Sequence, residues 1–156
     1  MSQNEYLVKV KEGWILLAYS KKGLCSLNFP VKRKPVILSR KPPLFIVKLE
    51  KELKNYFSGK KQKFSCLLDL EGFTKFQVKV WKAAKKIPYG KTCSYSEIAK
   101  KIGSPGSARA VGNALGKNPC PIVIPCHRVV KNDGSLGGFS GGRDWKRKLL
   151  ELEAAK

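Results

Sequence analysis

The chain has 156 residues, 42% of them hydrophobic, enough to bury one core or two small ones, which excludes disorder along its whole length. It carries 32 Lys and Arg against 11 Asp and Glu, a formal net charge of +21, and this favours a phosphate polyanion or an acidic membrane surface as partner. The longest apolar run, residues 14–18, is far shorter than the roughly 18 residues a spanning helix needs, and the first 20 residues show no signal-peptide pattern. The expectation is a soluble cytoplasmic protein, nucleoid-associated, or nuclear if eukaryotic. Residues 1–70 hold fifteen basic and five acidic side chains and residues 71–156 hold seventeen and six, so the charge is not gathered in a tail that would anchor to a membrane.

In chain order, the first third reads as β structure. Tyr6 to Lys11, a Glu12-Gly13 turn, Trp14 to Tyr19, a Lys21-Lys22-Gly23 turn and Leu24 to Phe29 predict a three-stranded meander. A basic, proline-containing connection covers residues 32–41. Pro42-Pro43 then open a helix whose apolar positions, Leu44, Val47, Leu49, Leu53, Tyr56 and Phe57, recur near helical spacing until Ser58-Gly59. Residues 60–72 read as extended and include the join between two lobes.

From Phe73 the pattern becomes helical. Thr74 and Gln77 have capping-box spacing, with Phe73, Val80, Trp81, Ala84 and Ile87 along one face until Pro88-Tyr89-Gly90. A second box, Ser94 and Glu97, opens a short helix closed by Gly103, and a third helix covers about residues 107–115 and ends at Gly116. Two short helices joined by a Gly and Pro turn predict a helix-turn-helix. On the third helix Val111, Ala114 and Leu115 face inward, while Arg109, Asn113 and Lys117 share the outer face. Ala108, Ala110, Gly112 and Ala114 are small, so this backbone can approach a groove closely. An ordinary amphipathic helix with solvated charges fits the same spacing.

The five cysteines, at positions 25, 66, 93, 120 and 126, include no CxxC pair, and His127 is the sole histidine, so a zinc site of the usual spacing cannot be assembled. Cys25 and Cys66 read as buried small apolar residues. Three prolines in residues 118–130 forbid a helix there, which predicts an extended segment delivering Cys126-His127 to its end. A free thiol, with a pKa of about 8.5, is only roughly 3% thiolate at pH 7, so a nucleophilic Cys126 needs a base or cation nearby. Strand neighbours point to opposite faces, so His127 would need a bend or a bridging water to reach the sulfur. A buried, inert Cys beside a structural His also fits these two residues.

The longer string, Pro125-Cys126-His127-Arg128-Val129 preceded by Ile122-Val123-Ile124 and by Arg109-Ala110-Val111-Gly112-Asn113-Ala114, resembles the active-site and DNA-recognition segments of the O6-alkylguanine-DNA alkyltransferases. Gly137-Gly138-Phe139-Ser140-Gly141-Gly142 is similar to that family's active-site loop. Trp145 with Leu149-Leu150-Glu151-Leu152-Glu153 is similar to its final helix. The detailed resemblance runs from about Phe73 to Glu153. Residues 1–70 match only in coarse order, strands and then a helix.

The resemblance implies an α+β chain: a ribonuclease-H-like domain over residues 1–70, an antiparallel sheet plus helix, and a mostly helical, winged-helix-like domain with a helix-turn-helix over residues 71–156. It implies repair of duplex DNA by flipping out O6-alkylguanine, mainly O6-methylguanine, and moving the alkyl group irreversibly to Cys126, once per protein. His127 matches the base that reaches the thiol through a water, Glu153 the carboxylate that orients it, Tyr95 the phenol that donates toward the base, and Asn118 the amide that holds the turn before the active-site segment. Arg109 matches the finger that fills the stack, on a helix in the minor groove with Ala110, Gly112, Asn113 and Lys117. Arg128 is grouped with the DNA-facing residues, although in the motif it reads as a bridge between segments. Val129 and Ser140 match positions that read the extruded base, and Pro121 a wall of the alkyl pocket. Phe139 stands where some relatives carry Tyr, which puts the tolerated alkyl size in doubt. The family's zinc-bearing members use Cys and His near the amino terminus; with no such histidine, the expectation is no metal and no cofactor, and a monomer that needs no protein partner and no membrane.

Two other classes compete. A non-catalytic lesion-binding or regulatory helix-turn-helix protein would lack the reactive cysteine, which this sequence keeps. A Cys-His hydrolase would need an oxyanion-hole motif, and none is evident.

Overall fold

Val8 and Val10 alternate with Lys9 and Lys11, and Ile15 and Leu17 with Leu16, so one face of each strand is apolar and must be covered. In a computed structural model that describes residues 3–38, 40–139 and 141–154, these residues form β1 (Asn4–Val10) and β2 (Gly13–Ser20), joined antiparallel to β3 (Gly23–Leu27) in the order β1-β2-β3. The register pairs Val8 with Ile15 and Val10 with Gly13. Two glycines open strands where other chain passes too close for a side chain: a Cβ on Gly13 would lie 2.3 Å from the Val31 carbonyl oxygen, and one on Gly23 2.4 Å from that of Leu67. Helix α1 (Leu44–Phe57) packs against β1.

The chain divides after Glu71 into two compact units, and this sheet and helix make up the first. Its core is Val8, Ile15, Leu17, Leu24, Ile46, Leu49, Leu53 and Tyr56, each with no measurable exposure. The apolar face of α1 is displaced from the sequence expectation. Ile46, Leu49, Leu53 and Tyr56 are buried, whereas Leu44 is 87% and Val47 48% exposed. Leu44 is the first helical residue, where spacing alone cannot tell a core position from a frayed end.

The second unit holds α2 (Lys75–Lys85), β4 (Cys93–Ser94), α3 (Tyr95–Lys101), α4 (Ala108–Gly116), β5 (Val129–Val130) and α5 (Arg143–Ala154). Both capping boxes form: Thr74 accepts from the Gln77 amide and Ser94 from the Glu97 amide, and each partner side chain returns the bond. Helices α2, α3 and α4 pack on one another around Val80, Trp81, Ala84, Ile98 and Val111. The Trp81 indole N–H donates to the Ala114 carbonyl at 2.8 Å, which joins α2 to α4. Strands β4 and β5 run parallel, Cys93 opposite Val129, and so bring the start of α3 beside the end of the cysteine segment. The chain is thus a mixed α+β protein. Among the described residues no helix is long and apolar enough to cross a membrane, and no group of three His, Cys, Asp or Glu side chains is placed to hold a metal ion.

Candidate active site

The prolines keep residues 118–125 from forming a helix, but the segment does not end as the predicted extended strand. Cys126–Arg128 form a single 3-10 turn whose cap is Pro125. At three residues per turn, successive side chains point about 120° apart, so the opposite-face argument for Cys126 and His127 does not apply. Asn118 sets the approach. Its Oδ1 accepts from the Cys120 amide at 2.9 Å, and its Nδ2 donates to the Ile124 carbonyl at 2.9 Å and to Cys126 Sγ at 3.1 Å. Between those two backbone anchors Ile122 sits at φ +77°, a strain of order 1–3 kcal/mol for a β-branched residue, held by its own burial.

Behind the cysteine lies a closed ion network. His127 is fully buried; its Nε2 is 2.7 Å from Glu153 Oε1, and the Arg128 guanidinium donates to both Glu153 oxygens at 2.9–3.2 Å and to the Ile87 carbonyl at 2.7 Å. Burial alone would raise the Glu153 carboxyl, but the bonds from His127 and Arg128 outweigh it and hold the pKa at about 2. Burial lowers the pKa of His127 despite Glu153, so the ring is neutral at pH 7. An ionised carboxylate cannot donate; hence Nε2 carries the proton and Nδ1 is the basic nitrogen. That Nδ1 is buried and has no hydrogen-bond partner among the described residues.

In front of the cysteine the charges are arranged differently. Cys126 is 3% exposed, and burial pushes its thiol up to about 11 against the lowering influence of Asn118 and Lys146. Lys146, on α5, is fully buried and donates to the Val129 carbonyl at 2.6 Å, to the Gly138 carbonyl at 3.2 Å and to the Tyr95 hydroxyl at 3.4 Å. Burial lowers its pKa to about 8. Tyr95, the first residue of α3, is a phenol at pH 7, and burial raises its pKa further above the ordinary 10.0. Gly137 at φ +74° leaves room for that phenol: a Cβ there would stand 2.7 Å from the Tyr95 hydroxyl. Cys126, Tyr95 and Gly137 border a cavity of about 880 Å³ lined also by Arg109, Gly112 and Phe139, among others, a size suited to a small-molecule or nucleobase guest.

The sequence-predicted residues separate into groups. Asn118 bonds to Cys126, Glu153 to the adjacent His127, and Tyr95 lines the same cavity as Cys126. Arg109, Ala110, Asn113 and Lys117 are exposed on or just after α4, and Gly112 is half-buried beside the Tyr95 ring. Phe139 lines the cavity, whereas Val129 and Pro121 are buried and are not among its lining residues. Ser140 lies outside the described residues. Arg128 corrects its grouping with the DNA-facing residues: it is 6% exposed, and its guanidinium is spent on Glu153 and Ile87, so it serves as the bridge. Lys146 was not among the predicted residues. It sits among the basic residues 146–148, and its only sequence signal was the i, i+3, i+7 face it shares with Leu149 and Glu153.

A buried cysteine lining a cavity large enough to admit a nucleobase, with the basic-faced α4 contributing to the same cavity, makes a candidate thiol site in an α+β fold. The family described as 6-O-methylguanine DNA methyltransferase, DNA binding domain, matches residues 75–155. A protein of Methanosarcina barkeri named "Methylated-DNA--protein-cysteine methyltransferase" is 46% identical over 144 residues, 90% of each chain. The protein of that name from Mycobacterium bovis is 54% identical over 105 residues, 67% of this chain but only 63% of the relative, so that match takes in less than two thirds of the mycobacterial protein. Among solved structures, Mycobacterium tuberculosis OGT in complex with DNA superposes with a TM-score of 0.81 at 41% identity, covering 97% of this chain and 93% of that one. The chain belongs to the 6-O-methylguanine DNA methyltransferase family.

Proposed function

We propose that this protein repairs O6-alkylguanine in duplex DNA by moving the alkyl group to its own Cys126 in a single turnover. The observation that carries the reading is that Cys126, 3% exposed, opens onto a cavity bordered by the phenol of Tyr95 and the guanidinium of Arg109. A thiol so placed reaches an alkyl group only if the base bearing it leaves the helical stack. Extrusion costs a few kcal/mol, and the planar Arg109 side chain at the cavity rim offsets part of it by filling the gap. Ala110, Gly112, Asn113 and Lys117 lie against the minor groove, whose degenerate pattern of acceptors suits a protein that must act in any sequence context.

The chemistry is a displacement at saturated carbon. The thiol proton passes to His127 Nδ1 through a bridging water; the sulfur forms its bond to the alkyl carbon as the bond from that carbon to O6 breaks, and the electron pair goes to guanine. Tyr95 gives its proton to a ring nitrogen of the leaving guanine, and Lys146 stabilises the phenolate until a proton returns from the imidazolium through solvent. Glu153 supports the transient charge on His127, and Arg128 holds Glu153. The thioether product is stable, so each molecule acts once. By the resemblance Val129 and Ser140 are the positions that read the extruded base, and Phe139, in the cavity lining, bounds the space for the alkyl group. Phe139 offers no hydroxyl there.

In this reading the first unit, a meander followed by a helix, is ribonuclease-H-like, and the second is a winged-helix-like domain. The protein works as a monomer in the cytoplasm or nucleoid, or in the nucleus if eukaryotic, without metal, cofactor, membrane or protein partner. Incubation with duplex DNA containing O6-methylguanine is expected to add one methyl group to the peptide carrying Cys126, saturating at one equivalent per protein, and Cys126→Ala is expected to abolish it. Tight lesion binding with an unmodified Cys126 overturns the proposal in favour of a non-catalytic lesion-recognition protein.

A further inference from the structure

Between Glu12 and Glu50 the chain has no acidic residue and eight basic ones. Five of these, Lys32, Arg33, Lys34, Arg40 and Lys41, lie in the exposed connection from β3 to α1, and Lys9 of β1 is exposed beside them. None of the six forms an ion pair among the described residues, unlike Lys22, whose ammonium is 2.7 Å from Glu71. The site in the second unit gives this charge no task.

The connection is not a loose tail. Trp14 donates its amide to the Val31 carbonyl at 2.7 Å and accepts from the Val31 amide at 2.9 Å, so the basic stretch begins pinned to β2. Lys34 returns over the Trp14 ring, 4.8 Å from its centroid, with Lys9 at 5.2 Å, so one indole holds two ammonium groups in place. A groove of about 430 Å³ separates β1 from the connection, its walls including Tyr6, Leu7, Trp14, Pro35 and Ile37; Glu5 is the one carboxylate among its lining residues. Fixing a lysine in place removes much of the entropy cost that makes single surface contacts weak. An array of unpaired, partly immobilised cations in a segment free of carboxylates matches a regularly spaced line of phosphates.

We propose that Lys9, Lys32, Arg33 and Lys34, organised by Trp14, form a second contact surface for the sugar-phosphate backbone of DNA, separate from the α4 face. This deepens the proposed function and rests on its reading of DNA as partner. The surface contributes affinity without sequence preference, because it meets phosphates and not base edges.

The test is the salt dependence of binding to undamaged duplex DNA by the full chain. For each phosphate that a variant no longer neutralises, the plot of log K against log salt becomes shallower by about 0.9. The variant Lys32→Ala/Arg33→Ala/Lys34→Ala is expected to flatten that slope by about 2 to 3, and Trp14→Ala by about 1. Lys60→Ala/Lys61→Ala/Lys63→Ala, which removes the same charge from exposed positions of the same unit, is expected to leave the slope within about 0.5 of the parent. Methyl transfer at saturating lesion DNA is expected to be unchanged in the first triple variant. Equal slopes for the two triple variants overturn the proposal, as does charge-dependent binding to anionic lipid vesicles with an unaltered DNA slope. Patch-dependent slopes in a protein that never methylates Cys126 leave this surface standing while the proposed function fails, and methylation with patch-independent slopes does the reverse.

Discussion

The two sides of Cys126 solve opposite electrostatic problems. Behind it, Glu153 is enclosed by His127 and Arg128, so a buried anion meets a buried cation and a fixed imidazole within 3.2 Å. In front, Lys146 is equally buried but among the described residues bonds to neutral acceptors alone, the carbonyls of Val129 and Gly138 and the hydroxyl of Tyr95. The rear ion pair is formed before any reaction starts, and His127 Nδ1 is its one buried polar atom without a partner among the described residues. The front carries a surplus of positive charge that is matched only when a thiolate or phenolate develops, an arrangement preorganised for a transition state. On the proposed reaction, the rear bears on stability as well as on proton acceptance, whereas the front bears chiefly on rate.

Removing the rear anion should have the largest effect. Glu153→Gln leaves Arg128 buried without its carboxylate and should lower unfolding free energy by about 3–5 kcal/mol in urea titrations, with transfer lost as well. Acid should weaken the same network. The folded pKa of Glu153, about 2, lies below the ordinary 4.5, so its contribution is complete above pH 4.5 and is lost as pH falls from 4.5 toward 2, about 3 kcal/mol in all by chemical denaturation at stepped pH. His127, also lowered, acts in the same direction below 6.5. At the front the order of effects reverses. Lys146→Met should slow methyl transfer about 10- to 100-fold, read by quenched single-turnover kinetics, while changing stability by less than Glu153→Gln does, because a desolvation cost disappears along with the bonds. Gly137→Ala should cost about 1 kcal/mol for its positive φ and displace the Tyr95 phenol, slowing transfer severalfold with little change in DNA affinity. A Lys146→Met protein as unstable as Glu153→Gln would erase the distinction between the two sides.

Much of this was legible in the sequence where a local rule applies. Both capping boxes, the meander and the exposed basic face of α4 follow from residue spacing alone, and the cysteine motif led to the family. Long-range partners were less visible. Glu153 joined the site only through the resemblance, since a terminal-helix Glu is ordinarily solvated. Lys146 was concealed by basic neighbours, because a buried cation is identified by the carbonyls brought to it from β5 and the 137–139 loop, and these are distant in sequence. The 3-10 turn at Cys126 arises from Asn118 reaching eight residues along to the sulfur, which no alternation pattern encodes. Arg128, basic and next to the motif, reads as DNA-facing in the sequence because its carboxylate partner, Glu153, stands 25 residues away.

In the proposed reaction Cys126, with a thiol pKa near 11, yields its proton to a neutral His127 and does not react as a standing thiolate. The pH dependence of the single-turnover methyl-transfer rate at saturating DNA tests it directly. The rate should be level from pH 7 to about 8 and decline above that as Lys146 loses its charge. A rate that climbs tenfold per pH unit through that range would contradict the claim and make pre-formed thiolate the reacting species.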